Sequence, residues 1–427
     1  VDGKISKGPT DLATISERIP FQKKDIISSL EKNRLFGVYE KGKHTDNFVC
    51  QLREDGNGRW LFLANAKKQY NQDKYSQKRQ PLTVKIKGKW KATIWNTING
   101  QIIGVKTRSE NSFTFLNIDM YEHDSLLLRF DNQEEKEYEN LPIFPKHILS
   151  KKANNYSLSE PNVLILDKAY YALDGENYSR KKQELLYLDN LCRKRCGLPK
   201  RTGRSAQPWV LEKASAQHTI KLKFSFKSKI EIKDTYLALE DAEIAKIFLN
   251  GTLVESNICG WYVDKAINKV RLPLIKKGLN VLEISLPFGL NTNIEWCYLL
   301  GSFAVSLGFS SATLKSLPQL LQYGDIGKQG FPFYGGELSY NLSFEGNGKP
   351  VSISVPKFKA ALLEVKTSES LNIAFAPYTA IIPSEKGETK LNITAFISRQ
   401  NAFGPVHLLN GKRAFTSPSS YYPPWRL

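Results

Sequence analysis

The stretch IFLNGTLVESNICGWYVDKAINKVRLPLIKKGLNVLEIS, residues Ile247–Ser285, predicts the fold of this chain. The pair Asn250-Gly251 lies between two apolar runs and favours a two-residue hairpin turn, because both residues tolerate positive φ. A second glycine, Gly278, precedes another alternating run. The stretch is therefore predicted to be half of a jelly-roll β-sandwich, with the segment around Trp261 as a ligand-facing loop.

Length and composition exclude several classes of protein. A chain of 427 residues is too long for one ordinary core. Its 41% hydrophobic and 11% aromatic residues exclude global disorder. No apolar run approaches the ~18 residues that span a bilayer, so no membrane partner is expected. The chain starts with Val1 and has one methionine, Met120, from which we expect a fragment of a longer protein whose targeting signal is out of view.

The formal charge of +19 raises the question of an anionic partner. The densest basic stretch, Lys181–Arg204, has eight Lys and Arg against two acids. Elsewhere the lysines are spread singly among asparagines, which is typical of a biased composition. A solvated surface is therefore favoured, and a basic module for nucleic acid or acidic polysaccharide on this stretch is the less favoured alternative.

The five cysteines give no metal motif. Cys192 and Cys196 lie four residues apart on a predicted helix, where they could bind a metal or simply pack, but no CxxC pair or nearby histidine completes a zinc site. Free thiols that pack as small apolar residues are the favoured interpretation. No cofactor is expected, and a structural calcium ion stays open.

The order of patterns along the chain predicts a mostly β protein built from several domains. Alternating runs and glycine turns dominate, and one helix is clear. The predicted segments are the tail of an upstream domain (1–45), a small antiparallel β-sandwich (46–135), a connector with a helix over 180–196 (136–206), a jelly-roll β-sandwich (207–310) and a second jelly roll that could be truncated (311–427).

An internal repeat supports the two jelly rolls. KKGLNVLEISLPF, residues 276–288, aligns with EKGETKLNITAFI, residues 385–397, and both copies place a glycine before alternating apolar residues. In the same alignment AEIAKIFLNG falls on FKAALLEVKT, which lacks the Asn-Gly turn.

These residues resemble a known family. YLALEDAEIAKIFLNGTLVE and GWYVDKAINKVRLPLIKKGLNVLEIS are similar to the galactose-binding-like jelly roll of family 2 and family 106 rhamnosidase-like glycoside hydrolases, and QGFPFYGGELSYNLSF resembles the first strand of a second such domain. The resemblance implies a bacterial carbohydrate-degrading enzyme, cytoplasmic, exported or at the cell surface. Its catalytic barrel would precede Val1 in the same chain.

The resemblance also implies that this segment is non-catalytic. A catalytic barrel needs repeated strand–helix units, and the chain has one convincing helix. The family's catalytic carboxylates therefore have no matching positions. We expect the segment to brace the barrel and to contact an oligo- or polysaccharide, or alternatively to be a stand-alone carbohydrate-binding protein.

Six residues are candidates for contact with a sugar, whose C–H faces favour an aromatic ring beside polar groups. In GWYVDK these are Trp261, Tyr262 and Asp264; the alternatives are core packing, a turn cap or a contact between domains. Glu240 and Glu295 are candidate inward carboxylates, although internal hydrogen bonds would explain them equally. Tyr334, in FPFYGG, is the candidate in a second aromatic loop.

Overall fold

The computed structural model describes residues 19–31, 33–66, 79–98, 100–122, 124–131, 154–201, 213–292, 294–308, 311–403, 414–417 and 420–422, with residue 400 and the last two ranges described by their backbone only. These residues divide into two compact units, 19–131 with 375–377 and 154–374 with 378–422. None of the helices described is both long and apolar enough to span a membrane.

The first unit is a β-sandwich of two five-stranded antiparallel sheets, with strand orders β2-β1-β5-β9-β8 and β3-β4-β10-β6-β7. The sandwich begins at Phe36, earlier than the predicted residue 46, because its first strand, β1, pairs with β5. A hairpin turn after Asp55 joins β3 to β4. Its elements are α1 (Lys23–Glu31), β1 (Phe36–Glu40), β2 (Lys43–His44), β3 (Val49–Asp55), β4 (Gly58–Ala64), β5 (Gln80–Lys87), β6 (Lys91–Trp95), β7 (Ile102–Val105), β8 (Thr107–Glu110), β9 (Phe113–Met120) and β10 (Ser125–Asp131).

The second unit contains two further sandwiches. Its first elements are β11 (Asn155–Leu158), β12 (Asn162–Leu166), β13 (Lys168–Leu173), β14 (Gln183–Glu184), α2 (Leu185–Arg195), β15 (His218–Ser228), β16 (Thr235–Leu239), β17 (Lys246–Leu249), β18 (Thr252–Val254), β19 (Ile258–Tyr262), β20 (Asp264–Leu272), β21 (Gly278–Phe288), β22 (Cys297–Gly301), β23 (Ala304–Leu307) and β24 (Ala312–Lys315). The remaining elements are a 3₁₀ helix (Gly327–Gln329), β25 (Glu337–Asn347), β26 (Val351–Ser354), β27 (Leu363–Lys366), β28 (Ser370–Ile373), β29 (Thr379–Ile382), β30 (Lys386–Phe396), α3 (Gln400–Phe403), β31 (Ala414–Ser417) and β32 (Ser420–Tyr422).

The central sandwich comprises β12–β24. One sheet has the order β12-β22-β16-β20-β19 and the other β14-β13-β15-β21-β17-β18, with β24 pairing in parallel to β15. Inward residues alternate along the long strands, as in β15, where Ile220, Leu222, Phe224 and Phe226 are buried. One continuous apolar cluster fills the space between the sheets.

The stretch predicted as a connector supplies strands to both sandwiches. Strand β12 pairs with β22 and β13 pairs with β15, so both sheets of the central sandwich are completed by residues that precede 207. Helix α2 lies inside the predicted 180–196 range and buries Leu185, Leu188 and Cys192. Strand β11 pairs with β25 and therefore belongs to the last sandwich, which comprises β11 and β25–β30.

The repeat seen in the sequence corresponds to a shared sheet order. The run β13-β15-β21-β17-β18 of the central sandwich matches β11-β25-β30-β27-β28 of the last one. In each copy two eleven-residue strands pair along their whole length. The two aligned glycines, Gly278 and Gly387, have φ of 103° and 94°. The predicted mostly β, sandwich-type fold is confirmed.

The Asn250-Gly251 turn is confirmed as well. Leu249 pairs with Thr252 across it, and the two turn residues have φ of 52° and 82°. The Asn250 side chain also ties the turn to β21, because its Oδ1 accepts from Val281 N at 2.9 Å and its Nδ2 donates to Asn280 Oδ1 at 2.9 Å.

We predict that Gly251→Val lowers the free energy of unfolding by about 1–3 kcal/mol, because a β-branched residue resists positive φ. Nothing lies within 4 Å of a Cβ built at this glycine, so backbone strain is the only cost expected. Gly251→Asn is the matched control and should cost less. Urea unfolding of the full chain measures both variants, and equal midpoints would contradict the assignment of strain to this position.

A second prediction follows from the pairing of β12 and β13. A fragment of residues 207–316 lacks both strands and should stay unfolded, whereas a fragment of residues 159–316 should show a cooperative urea transition. Circular dichroism of the two fragments measures this difference. A cooperative transition in the shorter fragment would show that the two strands are dispensable.

Candidate functional site

The hairpin of β19 and β20 presents Trp261 to solvent. Its side chain is 51% exposed, whereas Tyr262, the next residue, is 6% exposed, as expected for neighbours on opposite faces of a strand. The pairing with β20 shifts register on both sides of Trp261. Gly260 and Val263 have φ of 120° and 64°, so the backbone here departs from a regular strand. A bulge of this kind re-aims a side chain.

Polar residues neighbour Trp261 along the chain and across the strands, and the Asn268 amide donates to Glu243 Oε1 at 2.5 Å. Asn268 is its partner across the strands, and a Cβ built at Gly260 would lie 3.6 Å from Lys269 Nζ. Asp264 is exposed, and its Oδ1 accepts a hydrogen bond from Ala266 N at 2.8 Å, which caps the turn. Asp264 therefore caps a turn, which was one of the alternatives to sugar contact that the sequence allowed.

Tyr262 lies in the contact between the central and last sandwiches. Its ring centroid is 5.3 Å from that of Tyr298 and 6.3 Å from that of Phe403, on which it stacks. The Arg399 guanidinium carbon lies 5.7 Å from the ring centroid. Burial raises the pKa of Tyr262 to about 12. Its hydroxyl accepts or donates no hydrogen bond of good geometry within the described part of the chain.

Glu160 and Arg399 form the polar centre of this contact. Arg399 donates from Nη1 and Nη2 to the two oxygens of Glu160, both at 2.7 Å. Such bidentate pairs fix orientation as well as contributing energy. They join the short link between β11 and β12 to the segment after β30.

Tyr334 packs beside the same contact and is fully buried. Its hydroxyl donates to Glu337 O at 2.7 Å and accepts from Ser159 N at 3.2 Å. Full burial leaves no ring face for a sugar, which corrects the expectation of a second ligand-facing aromatic loop. Tyr262 and Tyr334 are thus brought together, but as parts of the junction between two sandwiches.

Glu295 belongs to a different cluster, at helix α2. Arg201 donates from Nη2 to Glu295 Oε1 at 2.6 Å, and its Nη1 lies 3.5 Å from Asp189 Oδ2. Asp189 is fully buried and also accepts from Arg193 Nε at 3.0 Å. Arg195 donates to Glu176. Three arginines of the densest basic stretch are therefore used in ion pairs, two of them in this cluster and Arg195 at the surface.

Burial controls the ionisation of this cluster. It raises the pKa of Glu295 and of Asp189, and the neighbouring arginines oppose that effect in part. It also raises the pKa of Glu184, whose carboxylate caps α2 by accepting from Leu186 N and Tyr187 N. Raised carboxyl pKa values are common at catalytic sites, but ion-pair clusters produce them too.

Glu240 and Glu295 line one small cavity in the central sandwich, with Cys297 and apolar side chains around them. Its volume is about 10 Å³. A cavity of that volume holds a single water molecule at most. Hydrolysis of a glycosidic bond requires room for the sugar between two catalytic carboxyl groups, which this cavity does not provide. These two glutamates therefore do not form a substrate cleft in this structure.

Sequence reasoning missed a cavity of about 600 Å³ in the first unit. Its apolar wall includes Phe48, Cys50 and Leu52, which alternate along the edge strand β3 and its approach. The rim residue Arg34 bonds Glu31 and lies 2.9 Å from His44 Nε2. The alternation in FVCQLRED was the available signal, but it indicates a half-buried strand as readily as a cavity wall.

The described residues contain no group of three or more His, Cys, Asp and Glu arranged to hold a metal ion. The five cysteines are free thiols, and burial raises the pKa of Cys297 to about 12. The thiolate form that metal binding and nucleophilic chemistry need is thus disfavoured at Cys297.

No family model and no curated protein sequence matches this chain. Among solved structures, a rhamnosidase from Novosphingobium sp. PP1Y is similar at 14% identity and TM-score 0.22, over 65% of this chain and 26% of that one. A GH2 β-galacturonidase from Eisenbergiella tayi bound to glycerol is similar at 11% identity and TM-score 0.20, over 58% and 37%. An anti-sigma factor domain-containing protein is similar at 9% identity and TM-score 0.16, over 67% and 98%.

The similarity to the two glycoside hydrolases covers only part of their length, about a quarter of one chain and three eighths of the other. At these identities and TM-scores the similarities do not assign an activity. The arrangement of strands and side chains described above is the basis for any functional conclusion.

We predict that Tyr262→Ala lowers the free energy of unfolding by about 3–5 kcal/mol, since it leaves a void among three aromatic and guanidinium groups. Tyr262→Phe keeps the ring and removes a buried hydroxyl without a good partner, so it should change stability by less than about 1 kcal/mol. Urea unfolding of the full chain compares the two. Similar losses for both variants would show that the hydroxyl, and not the ring, holds the junction.

Proposed function

We propose that this chain is the non-catalytic, β-rich part of a carbohydrate-degrading glycoside hydrolase and that Trp261 contacts its glycan. The observation that carries the proposal is the half-exposed Trp261 indole on a bulged hairpin, with Asp264 three residues further along the chain and Asn268 as its partner across the strands. The resemblance of the GWYVDK region to the galactose-binding-like jelly roll supports it from the sequence.

The chemistry of the hairpin suits a sugar. An indole offers a flat apolar face for the C–H groups of a pyranose ring, and nearby polar side chains can bind hydroxyls. Asp264 contributes one oxygen to the turn cap, and its second oxygen has no hydrogen bond among the described residues. The Trp261 face is thus a small binding surface rather than a deep pocket.

The non-catalytic role is supported by the carboxylates. Glu295 bonds Arg201, and the cavity that it shares with Glu240 cannot admit a sugar. The catalytic domain of the parent enzyme would then be a separate part of the same chain, and these sandwiches would brace it and extend its contact with substrate.

The expected result is that Trp261→Ala removes most of the affinity of the full chain for the glycan it binds, by roughly tenfold or more, the scale of one stacked aromatic anchor. Isothermal titration calorimetry against a panel of plant and host oligosaccharides measures this. Tyr187→Ala is the matched control, because Tyr187 is also 51% exposed but lies on helix α2. Absence of binding throughout the panel, or equal binding by the Trp261→Ala variant, would contradict the site.

A further inference from the structure

The outer face of the second sheet of the central sandwich carries an excess of lysines. Residues that alternate outward along β15 include Lys221, Lys223 and Lys227, and Lys246 lies on the same face of β17. On the outward positions of β15, β17 and β21, which are fully described, the one acidic residue is Glu283. We call these four lysines the lysine face.

The register of the strands sets the spacing of the charges. Lys221 and Lys246 both pair with Ser285, so they lie on either side of β21, about 9–10 Å apart along the sheet. Lys221 and Lys223 are two residues apart, which is about 7 Å along a strand. The lysine face is therefore a two-dimensional array of ammonium groups on a rigid sheet.

Three of the four lysines form no ion pair with a described residue, although the exposed Glu255 lies next to Lys246 in the hairpin of β17 and β18. The Lys223 ammonium lies 3.3 Å from Glu283 Oε1, which neutralises that pair. Lys221, Lys227 and Lys246 are exposed and have no ion-pair partner among the residues that the structure describes. An array of like charges with few acidic neighbours costs self-repulsion, which an anionic ligand would relieve.

The last sandwich shows that the fold does not require this array. Its strand β25 occupies the sheet position of β15, and its outward residues are Glu337, Ser339, Asn341, Ser343, Glu345 and Asn347. The neighbouring strands β27 and β30 add three lysines and two glutamates: Lys366, Lys386, Lys390, Glu364 and Glu388. The equivalent face is therefore close to neutral in the last sandwich and clearly basic in the central one. Because both sandwiches belong to the same lysine-rich chain, composition alone does not explain the difference.

We propose that the lysine face binds an acidic polysaccharide, a chain of sugars that carry carboxylate or sulfate groups. Lysine ammonium groups act as point charges toward such groups. Single-stranded nucleic acid is disfavoured because base stacking needs open aromatic rings. Among the aromatic residues on this side, Tyr170 and Tyr178 already have lysine ammonium groups over their rings, at 5.7 Å and 3.7 Å from the ring centroids, and Phe248 on β17 is half-buried.

The proposal does not depend on Trp261, which lies in the other sheet of the central sandwich. A chain could bind an acidic polysaccharide on the lysine face and a neutral glycan at Trp261 together or separately. A negative binding result at one of these two surfaces therefore does not contradict the proposal for the other.

The experiment measures fluorescence anisotropy of a labelled alginate oligosaccharide with the full chain at several salt concentrations. The variant with Lys221→Gln, Lys227→Gln and Lys246→Gln should bind roughly tenfold more weakly than the wild type and show a shallower dependence on salt, because fewer counter-ions are released. The matched control replaces Lys366, Lys386 and Lys390 by Gln, which removes the same net charge from the equivalent face. It should stay within about twofold of wild type.

Three outcomes would overturn the proposal. Equal losses in the two triple variants would mean that net charge alone attracts the ligand. Unchanged binding by the lysine-face variant, at an unchanged urea midpoint, would place the ligand elsewhere. Tighter binding of an oligothymidylate with the same number of charges than of alginate would identify nucleic acid as the partner.

Discussion

Everything in the second unit depends on where the chain between residues 155 and 173 forms its hydrogen bonds. Strand β11 pairs with β25 in the last sandwich, and only four residues later β12 pairs with β22 in the central one. Residues 159–161 therefore connect two different sheets, and Glu160 lies where those sheets meet. Its bidentate pair with Arg399 closes the junction from the other side. A hydrogen-bonded charge pair of this geometry is directional, so it constrains angle as well as distance.

Local patterns in the sequence were sufficient to predict the turns and the long alternating strands. Asn250-Gly251 and the two aligned glycines were found because positive φ restricts the residue types that can occupy those positions. The alternation along β15 and β21 likewise follows from the two-residue period of a strand with one buried face. These features depend on a few neighbouring residues, which a single sequence contains.

The rest depended on partners far along the chain. Strand β12, with the sequence NVLIL, is continuously apolar, but its partner β22 lies more than 130 residues later, and no local pattern identifies that partner. The same limit applies to Trp261 and Tyr262. They are adjacent aromatic residues on opposite faces of one strand, and the residues that bury Tyr262, among them Phe403 and Arg399, lie more than 130 positions later in the chain. Glu295 was a candidate inward carboxylate for contact with a sugar, whereas Arg201, 94 positions earlier in the chain, is its ion-pair partner in the structure.

The pairing of β11 with β25 has a consequence for how the chain reaches this structure. Leu158 and Leu338 are partners, yet the entire central sandwich lies between them in sequence. Closing a loop of that length costs conformational entropy before any contact in the last sandwich can compensate for it. If the central sandwich folds first, it brings the two ends near each other and removes most of that cost. Topologically, the central sandwich is an insertion after the first strand of the last one, and it is complete in sequence before β25 begins, so it should fold before the last sandwich closes around β11.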